Sequence, residues 1–355
     1  MHLRPDRSRA AITAIEYYLP DEVLTSDQLA TEYPDWPVAK IVAKTGIRER
    51  HIAAPDECAS DLAVRAARKL FDSGAIERSD IDVLLLCTQT PDYFLPTTAC
   101  IVQDRLGIPT EAGALDINLG CSGFVYGLGI AKGLIETGQA DTILLLTADT
   151  YSKFIRESDR SVRTLFGDGA AATLIETMPP DAELHIEAPV WGTDGRGAAN
   201  LIVKGGAAKS WSGAGPGGPG HRNGGTHPAG THCLEMNGPE IFNFTVGVVP
   251  TLVENVLQRT CKTMGDIDLF VFHQANKTLL NHLRQKIGIP SEKFYLALED
   301  CGNTVSSTIP IALKRARLEG ALRPGQLALL AGFGVGYSWA GTVIRWPSDR
   351  GFASA

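Results

Sequence analysis

Short apolar runs alternate with amphipathic stretches along most of this chain. Residues 61–73 carry apolar side chains at helical spacing, and 83–88 form a continuous apolar run of strand length, the pattern of a strand buried on both faces. Residues 122–137 and 142–148 repeat the order of helix then buried strand, which is the rhythm of an α/β fold. The same order returns later, with 249–264 and 304–319 helical and 269–272 and 326–331 extended. The chain reads as two copies of one unit.

Two local matches make the duplication specific. Asp80-Ile81-Asp82-Val83-Leu84-Leu85-Leu86-Cys87 resembles Asp266-Ile267-Asp268-Leu269-Phe270-Val271-Phe272-His273, and Gly120-Cys121 heads one helix much as Gly302-Asn303 heads the other. Cys121 and Asn303 are then structural equivalents. In a duplicated α/β fold such equivalent ends converge about a pseudo-twofold axis, with His273 in the same layer. The boundary is expected near Thr177-Met178-Pro179-Pro180, which gives halves of 1–178 and 179–355. Residues 205–230, rich in Gly, Ser and Pro, cannot hold a regular helix or strand and read as a loop inserted in the second half.

Composition narrows the class. With 355 residues, 44% hydrophobic and 21% charged, the chain is neither disordered nor fibrous. Its longest apolar runs are far too short to cross a bilayer, and no apolar stretch follows the basic start, so a cytoplasmic protein is expected. A formal net charge of -7 argues against general attraction to nucleic acid or anionic membranes. The seven cysteines are odd in number and lack paired spacing, which predicts reduced thiols rather than disulfides.

Cys121 lies among small residues before an apolar helical run. Free N–H groups and the positive dipole end of a helix favour thiolate over thiol and can hold an oxyanion, the two needs of a nucleophile that carries an acyl group. A buried structural cysteine is the alternative. His273 falls in a polar cluster after an apolar strand, where both a catalytic and a hydrogen-bonded structural histidine occur. Asn303 serves equally as a helix cap.

Taken together the motifs resemble those of β-ketoacyl-ACP synthase III, within the thiolase superfamily. They are Thr45-Gly46-Ile47-Arg48-Glu49-Arg50-His51-Ile52, Gly120-Cys121-Ser122-Gly123-Phe124, Phe166-Gly167-Asp168-Gly169-Ala170-Ala171, His273-Gln274-Ala275-Asn276, Gly302-Asn303-Thr304 and Gly332-Phe333-Gly334-Val335-Gly336. They run in order over almost the whole chain. The resemblance implies a thiolase-like α/β fold, two βαβαβαββ-type halves in a five-layer αβαβα stack. It implies that Cys121 takes an acyl group from a thioester, and that His273 and Asn303 bind a malonyl thioester while it loses CO2. Backbone N–H groups of Cys121 and Val335 would form a second oxyanion hole, and Phe333 would disfavour the malonyl carboxylate. No cofactor or metal is implied, and the expected partners are acyl carrier protein (ACP), CoA- or ACP-borne thioesters and a second copy of the chain.

Departures bear on substrate. Family members that take a primer from CoA carry a tryptophan five residues before the Thr-Gly of the first motif; here that position is Lys40, so the stacking platform is missing unless Trp36 replaces it. Lys44 and Arg160 match positions that contact the nucleotide and its phosphates. Leu95 stands where acetyl-selective members place a bulky Phe that caps the acyl pocket across the dimer interface, which suggests a longer or branched acyl group. Met236, Phe242 and Asn276 are further expected substrate contacts. Lys277, Arg284 and Lys286, whose spacing of seven and nine residues roughly repeats a helical face, are the expected docking patch for acidic ACP.

Rival readings fail on context or remain as alternatives. The Gly332 to Gly336 run lacks dinucleotide-loop spacing, and Gly336-Tyr337-Ser338-Trp339-Ala340 lacks the helix a serine-hydrolase elbow needs, because 338–346 reads as a strand. His221, His227, His232 and Cys233 match no standard zinc spacing. An acyltransferase that moves acyl from CoA or ACP to an amine or hydroxyl through Cys121, without decarboxylation, is the alternative activity. A non-catalytic partner subunit would need none of the three residues.

Overall fold

Alternation within each strand decides which side chains face which layer, and here it builds two sheets with helices between and outside them. The computed structural model describes residues 8–183, 185–205 and 233–347. The chain opens with β1 (Arg9–Tyr18), β2 (Glu22–Thr25), α1 (Ser26–Glu32), α2 (Val38–Thr45) and β3 (Glu49–Ile52). There follow α3 (Ala59–Asp72), β4 (Val83–Cys87), α4 (Thr98–Leu106), β5 (Gly113–Ile117), α5 (Gly123–Glu136), β6 (Thr142–Asp149), α6 (Arg160–Arg163) and β7 (Gly169–Met178). The remainder comprises β8 (Val190–Thr193), β9 (Leu201–Val203), β10 (Leu234–Met236), α7 (Gly238–Arg259), β11 (Leu269–Phe272), α8 (Lys277–Ile287), α9 (Thr308–Leu318), β12 (Leu327–Gly334) and β13 (Ser338–Arg345).

The first sheet has strand order β1-β7-β6-β4-β5 and the second β11-β12-β13-β8. Their pairings correspond. β4 runs parallel to β6 as β11 does to β12, and β6 runs antiparallel to β7 as β12 does to β13. A parallel bridge from Phe270 to Phe294 occupies the place that β5 takes beside β4.

Leu85 and Leu145 face a core shared with Phe124 and Leu128 of α5, Ile309 and Leu313 of α9, and Val271 and Leu330 of the second sheet. Their neighbours Leu84, Leu86, Leu144 and Leu146 point the other way, onto α3 and α4. Phe270, Phe272 and Leu329 likewise face α7 and α8. The result is five layers, α3/α4, sheet, α5/α9, sheet, α7/α8.

Three helix boundaries differ from the sequence reading by about a turn or more. Helix α7 starts at Gly238, because Asn237 caps it, accepting from the Glu240 N–H at 3.4 Å, and because Pro250 is carried inside the helix instead of opening it. It stops at Arg259, ahead of Cys261 at φ 52. Helix α9 starts at Thr308 after a separate 3₁₀ turn, Val305–Ser307. The Gly-rich segment, with His221, His227 and His232, lies almost wholly outside the described residues. Among the described residues no helix is long and apolar enough to cross a membrane, and no cluster of His, Cys, Asp or Glu could hold a metal ion. All seven cysteines are free.

Candidate active site

Cys121 sits one residue before Ser122, the N-cap of α5, and is 6% exposed. The backbone N–H groups of Val335 and of Cys121 itself pull the thiol's pKa down. Burial, reinforced by the carboxylate of Asp149, nevertheless pushes the thiol up to about 12. The resting nucleophile is therefore a thiol, since desolvation outweighs the helix end and the two amides. The glycines of the last motif follow from how closely β12 passes this loop. A Cβ on Gly334 would fall 2.9 Å from the Cys121 Sγ, and one on Gly332 would fall 2.8 Å from the Cys121 carbonyl oxygen.

His273 follows β11 and is 2% exposed. Burial lowers its imidazole to about 3, so it is neutral at physiological pH. Nδ1 lies 2.8 Å from the Thr308 Oγ1, which leaves Nε2 for other partners. The ring meets Phe333 edge-to-face, with centroids 5.7 Å apart.

Asn303 is held at both backbone groups: its N–H donates to the Leu165 carbonyl (2.9 Å) and its carbonyl accepts from the Gly167 N–H (3.1 Å). This contact explains the Phe166-Gly167 motif, because a Cβ on Gly167 would lie 2.5 Å from the Cys301 carbonyl oxygen, and Gly302 has φ +70 against Leu165. The Asn303 Oδ1 accepts from the Val305 N–H at 2.9 Å, which assigns the amide orientation and frees the Nδ2 hydrogens. The cap reading and the functional reading of Asn303 are thus compatible, although the turn it anchors is the 3₁₀ turn that precedes the helix proper.

Cys121, His273, Asn303 and Phe333 line one cavity of about 520 Å³, together with Met236, Phe242, Asn276 and Lys44. Asn276 is also the N-cap of α8, its Oδ1 accepting from the Leu279 N–H at 2.9 Å. Trp36 lines the same cavity, and its ring has the Lys44 Nζ at 4.9 Å, the Arg160 guanidinium carbon at 5.2 Å and the Lys40 Nζ at 5.4 Å. Trp36 thus lies just before α2 with its ring amid three cations, whereas position 40 carries a lysine.

Other expected residues are placed elsewhere. Leu95 is 83% exposed beside Tyr93 and Phe94 and does not line its own chain's cavity. Lys277, Arg284 and Lys286 do not share a face. At 100° per residue, nine positions turn the helix by half a circle. Lys277 packs its stem over Gly46, Arg284 donates to the Ile289 carbonyl (3.2 Å), and Lys286 donates to the Val246 carbonyl of α7 (3.0 Å). Asp149 was missed by the sequence reading. Its signal is an ionisable residue closing an otherwise apolar buried strand.

The doubled five-layer arrangement, with a cysteine from one half meeting a histidine and an asparagine from the other, is the thiolase-like fold. Family models described as 3-oxoacyl-[acyl-carrier-protein (ACP)] synthase III and its C-terminal region match residues 115–195 and 257–346. The chain is 35% identical over 344 residues to a β-ketoacyl-[acyl-carrier-protein] synthase III of Caldanaerobacter subterraneus, covering 96% of this chain and 99% of the relative. It is 38% identical to the synthase III 2 of Halalkalibacterium halodurans, covering 97% and 99%. A solved 3-oxoacyl-(acyl-carrier-protein) synthase III superposes with a TM-score of 0.88 at 53% identity, over 95% of this chain and all of that one. The chain belongs to the β-ketoacyl-[acyl-carrier-protein] synthase III family.

Proposed function

We propose that the chain joins a Cys121-bound acyl group to a malonyl thioester by decarboxylative Claisen condensation, as a β-ketoacyl-ACP synthase. One observation carries this reading: Cys121, His273 and Asn303 share a cavity, with Asn303 and His273 each already hydrogen-bonded on the side that faces the protein.

In the first half-reaction the Cys121 sulfur attacks the primer's thioester carbonyl. The new C–S bond forms as the carrier's C–S bond breaks, and the thiol proton leaves on the carrier sulfur. The amides of Cys121 and Val335, which favour negative charge on the sulfur, hold the tetrahedral oxyanion. In the second half-reaction the malonyl carboxylate departs as CO2 and its electron pair moves to the thioester oxygen. The Asn303 Nδ2 and the His273 Nε2 donate to that oxygen. The Thr308 hydroxyl has one hydrogen and two acceptors in reach, the Val305 carbonyl at 3.1 Å and the His273 Nδ1 at 2.8 Å; given to Nδ1, it leaves neutral His273 with its proton on Nε2. The enolate carbon then attacks the acyl carbonyl, releasing the Cys121 sulfur as thiolate, which takes a proton from solvent to restore the thiol. Phe333 offers apolar surface that suits CO2 better than carboxylate.

The same reading assigns the substrate residues. Met236 and Phe242 give the acyl chamber apolar walls, with Asn276 beside them, and Trp36 with Lys44 and Arg160 suits a nucleotide or phosphate-bearing carrier, CoA or ACP. Of the docking cations, Lys277 is the one whose ammonium is not spent on a neighbouring carbonyl in this way. Exposed Tyr93, Phe94 and Leu95, with Leu115 41% exposed on the sheet-edge strand β5, are an apolar loop and edge that a second copy would cover, so we infer a homodimer in which Leu95 reaches the partner's acyl chamber. The halves 1–178 and 179–355 then contribute nucleophile and decarboxylation groups respectively. Every step uses the chain's own groups and thioester substrates, so the reading calls for no cofactor, and the compartment we infer is the cytoplasm.

Intact-protein mass spectrometry of wild type and Cys121→Ala, with acyl-CoA and acyl-ACP panels followed by malonyl-ACP, tests this. The expected result is a mass gain lost in Cys121→Ala and discharged as β-ketoacyl product on adding malonyl-ACP. Stable acylation that malonyl-ACP cannot discharge, but an amine or hydroxyl can, would replace condensation with simple acyl transfer.

A further inference from the structure

One buried carboxylate touches both sides of the site without lining the cavity. Asp149 closes β6 and is 0% exposed. Its Oδ1 accepts from the Gln89 N–H at 2.8 Å. Its Oδ2 accepts from the Ser306 N–H at 3.3 Å and from the Ser306 hydroxyl.

Each partner leads directly to a reacting group. The Gln89 Oε1 accepts from the Tyr151 hydroxyl at 2.5 Å and packs so closely on Gly120, the residue before the nucleophile, that a Cβ there would lie 2.4 Å from it. On the other side, Ser306 belongs to the turn whose first residue, Val305, gives its N–H to the Asn303 Oδ1. Val305 has φ 55, a left-handed conformation that is costly for a β-branched residue and persists only where its surroundings hold it. Asn303 and the Thr308 hydroxyl hold Val305 at its two backbone groups, and Asp149 anchors the next residue, Ser306.

We propose that Asp149 is a positioning residue, bracing the nucleophile loop of the first half against the Asn303 turn of the second, and that its negative charge opposes formation of the Cys121 thiolate. Its charge raises the Cys87 thiol on β4, the Cys121 thiol and the Tyr151 hydroxyl after β6, and Asp168 before β7 raises Asp149 in turn. Burial pushes the Asp149 carboxyl up to about 7. Its charge therefore grows in as pH rises through neutrality, and with it the opposition to the thiolate.

The test is alkylation of Cys121 by iodoacetamide across pH, read on the Cys121 peptide by mass spectrometry so that exposed Cys100 and Cys261 do not interfere. Asp149→Asn removes the charge and keeps one acceptor oxygen for Gln89. Its alkylation profile should move to lower pH, each unit of movement raising the rate roughly tenfold at a fixed pH below the midpoint. Ser306→Ala removes one hydroxyl anchor and no charge. It should slow malonyl-ACP decarboxylation about tenfold while its alkylation profile does not move to lower pH. An Asp149→Asn profile that coincides with wild type overturns the electrostatic claim. Undiminished decarboxylation in Ser306→Ala overturns the brace and decides that point even if Asp149→Asn fails to fold. The brace rests on the condensation reading through its decarboxylation assay, whereas alkylation does not, so the two failures are distinguishable.

Discussion

Replacing Asn303 by Asp separates the two half-reactions. The Oδ1 bond from Val305 N–H at 2.9 Å survives, so the turn keeps its anchor, but the donor Nδ2 becomes an oxygen acceptor. Asn303 is 5% exposed, so little water can replace the lost donor. Removing one oxyanion donor in such a site costs about 2.7–4 kcal/mol, or roughly 10²–10³-fold in rate, and an ionised carboxyl facing an enolate oxygen adds to that. Burial raises the new carboxyl's pKa, and protonation restores a donor, so the residual activity should increase as pH falls. The assay follows CO2 release from malonyl-ACP beside the acylation of Cys121 by primer. The expected outcome is decarboxylation down at least about 10²-fold with acylation within about threefold of wild type. Equal losses in both steps, or decarboxylation near the wild-type rate, would refute the assignment of Asn303.

Gly334→Ala should abolish acylation, because its methyl would stand 2.8 Å from the Cys121 Cβ and 2.9 Å from Sγ; single-turnover acylation at least about 10²-fold slower, with unchanged circular dichroism, is the expected result. Neutral buried His273 makes the fold acid-sensitive: below about 6.5 the unfolded chain binds a proton that folded His273 refuses until about 3, so stability falls by up to about 1.4 kcal/mol per pH unit through that window. His273→Gln should flatten that part of the Tm profile between pH 6 and 4, and an unchanged slope would contradict the burial account. Trp36→Ala should raise KM for a CoA-borne primer roughly tenfold with little change in kcat, and an unaltered KM would remove Trp36 from carrier binding.

The helix and strand rhythm, the doubled unit and the motif order were legible because each is local: apolar period, an aligned repeat, and glycines beside reactive residues. The first turns of helix α7, from Gly238, were not part of the segment expected at 249–264; packing of Val249, Leu252, Val253 and Val256 in the core carries the helix through Pro250. The thiol's high pKa was not legible, since the same helix end that favours thiolate is buried, and burial is a property of the whole fold. Trp36 was named from the sequence as a substitute for the missing platform, but its place on the cavity wall amid Lys40, Lys44 and Arg160 depends on the fold. Lys286 was grouped with Lys277 by approximate spacing, and the helical angle separates them. Asp149 offered only an acid at the end of an apolar run; its partners Gln89 and Ser306 lie far away in sequence, one of them in the other half.

The central claim is that carbon–carbon bond formation at Cys121 is coupled to loss of CO2. Its most direct test is a single turnover of isolated acyl-Cys121 enzyme with ¹³C-carboxyl-labelled malonyl-ACP, measuring ¹³CO2 and product together. The account predicts one ¹³CO2 and one β-ketoacyl thioester for each acyl group discharged, with neither formed by Asn303→Asp at a comparable rate. Discharge of the acyl group without ¹³CO2, or ¹³CO2 release that leaves the acyl-enzyme intact and yields no β-ketoacyl product, would contradict it.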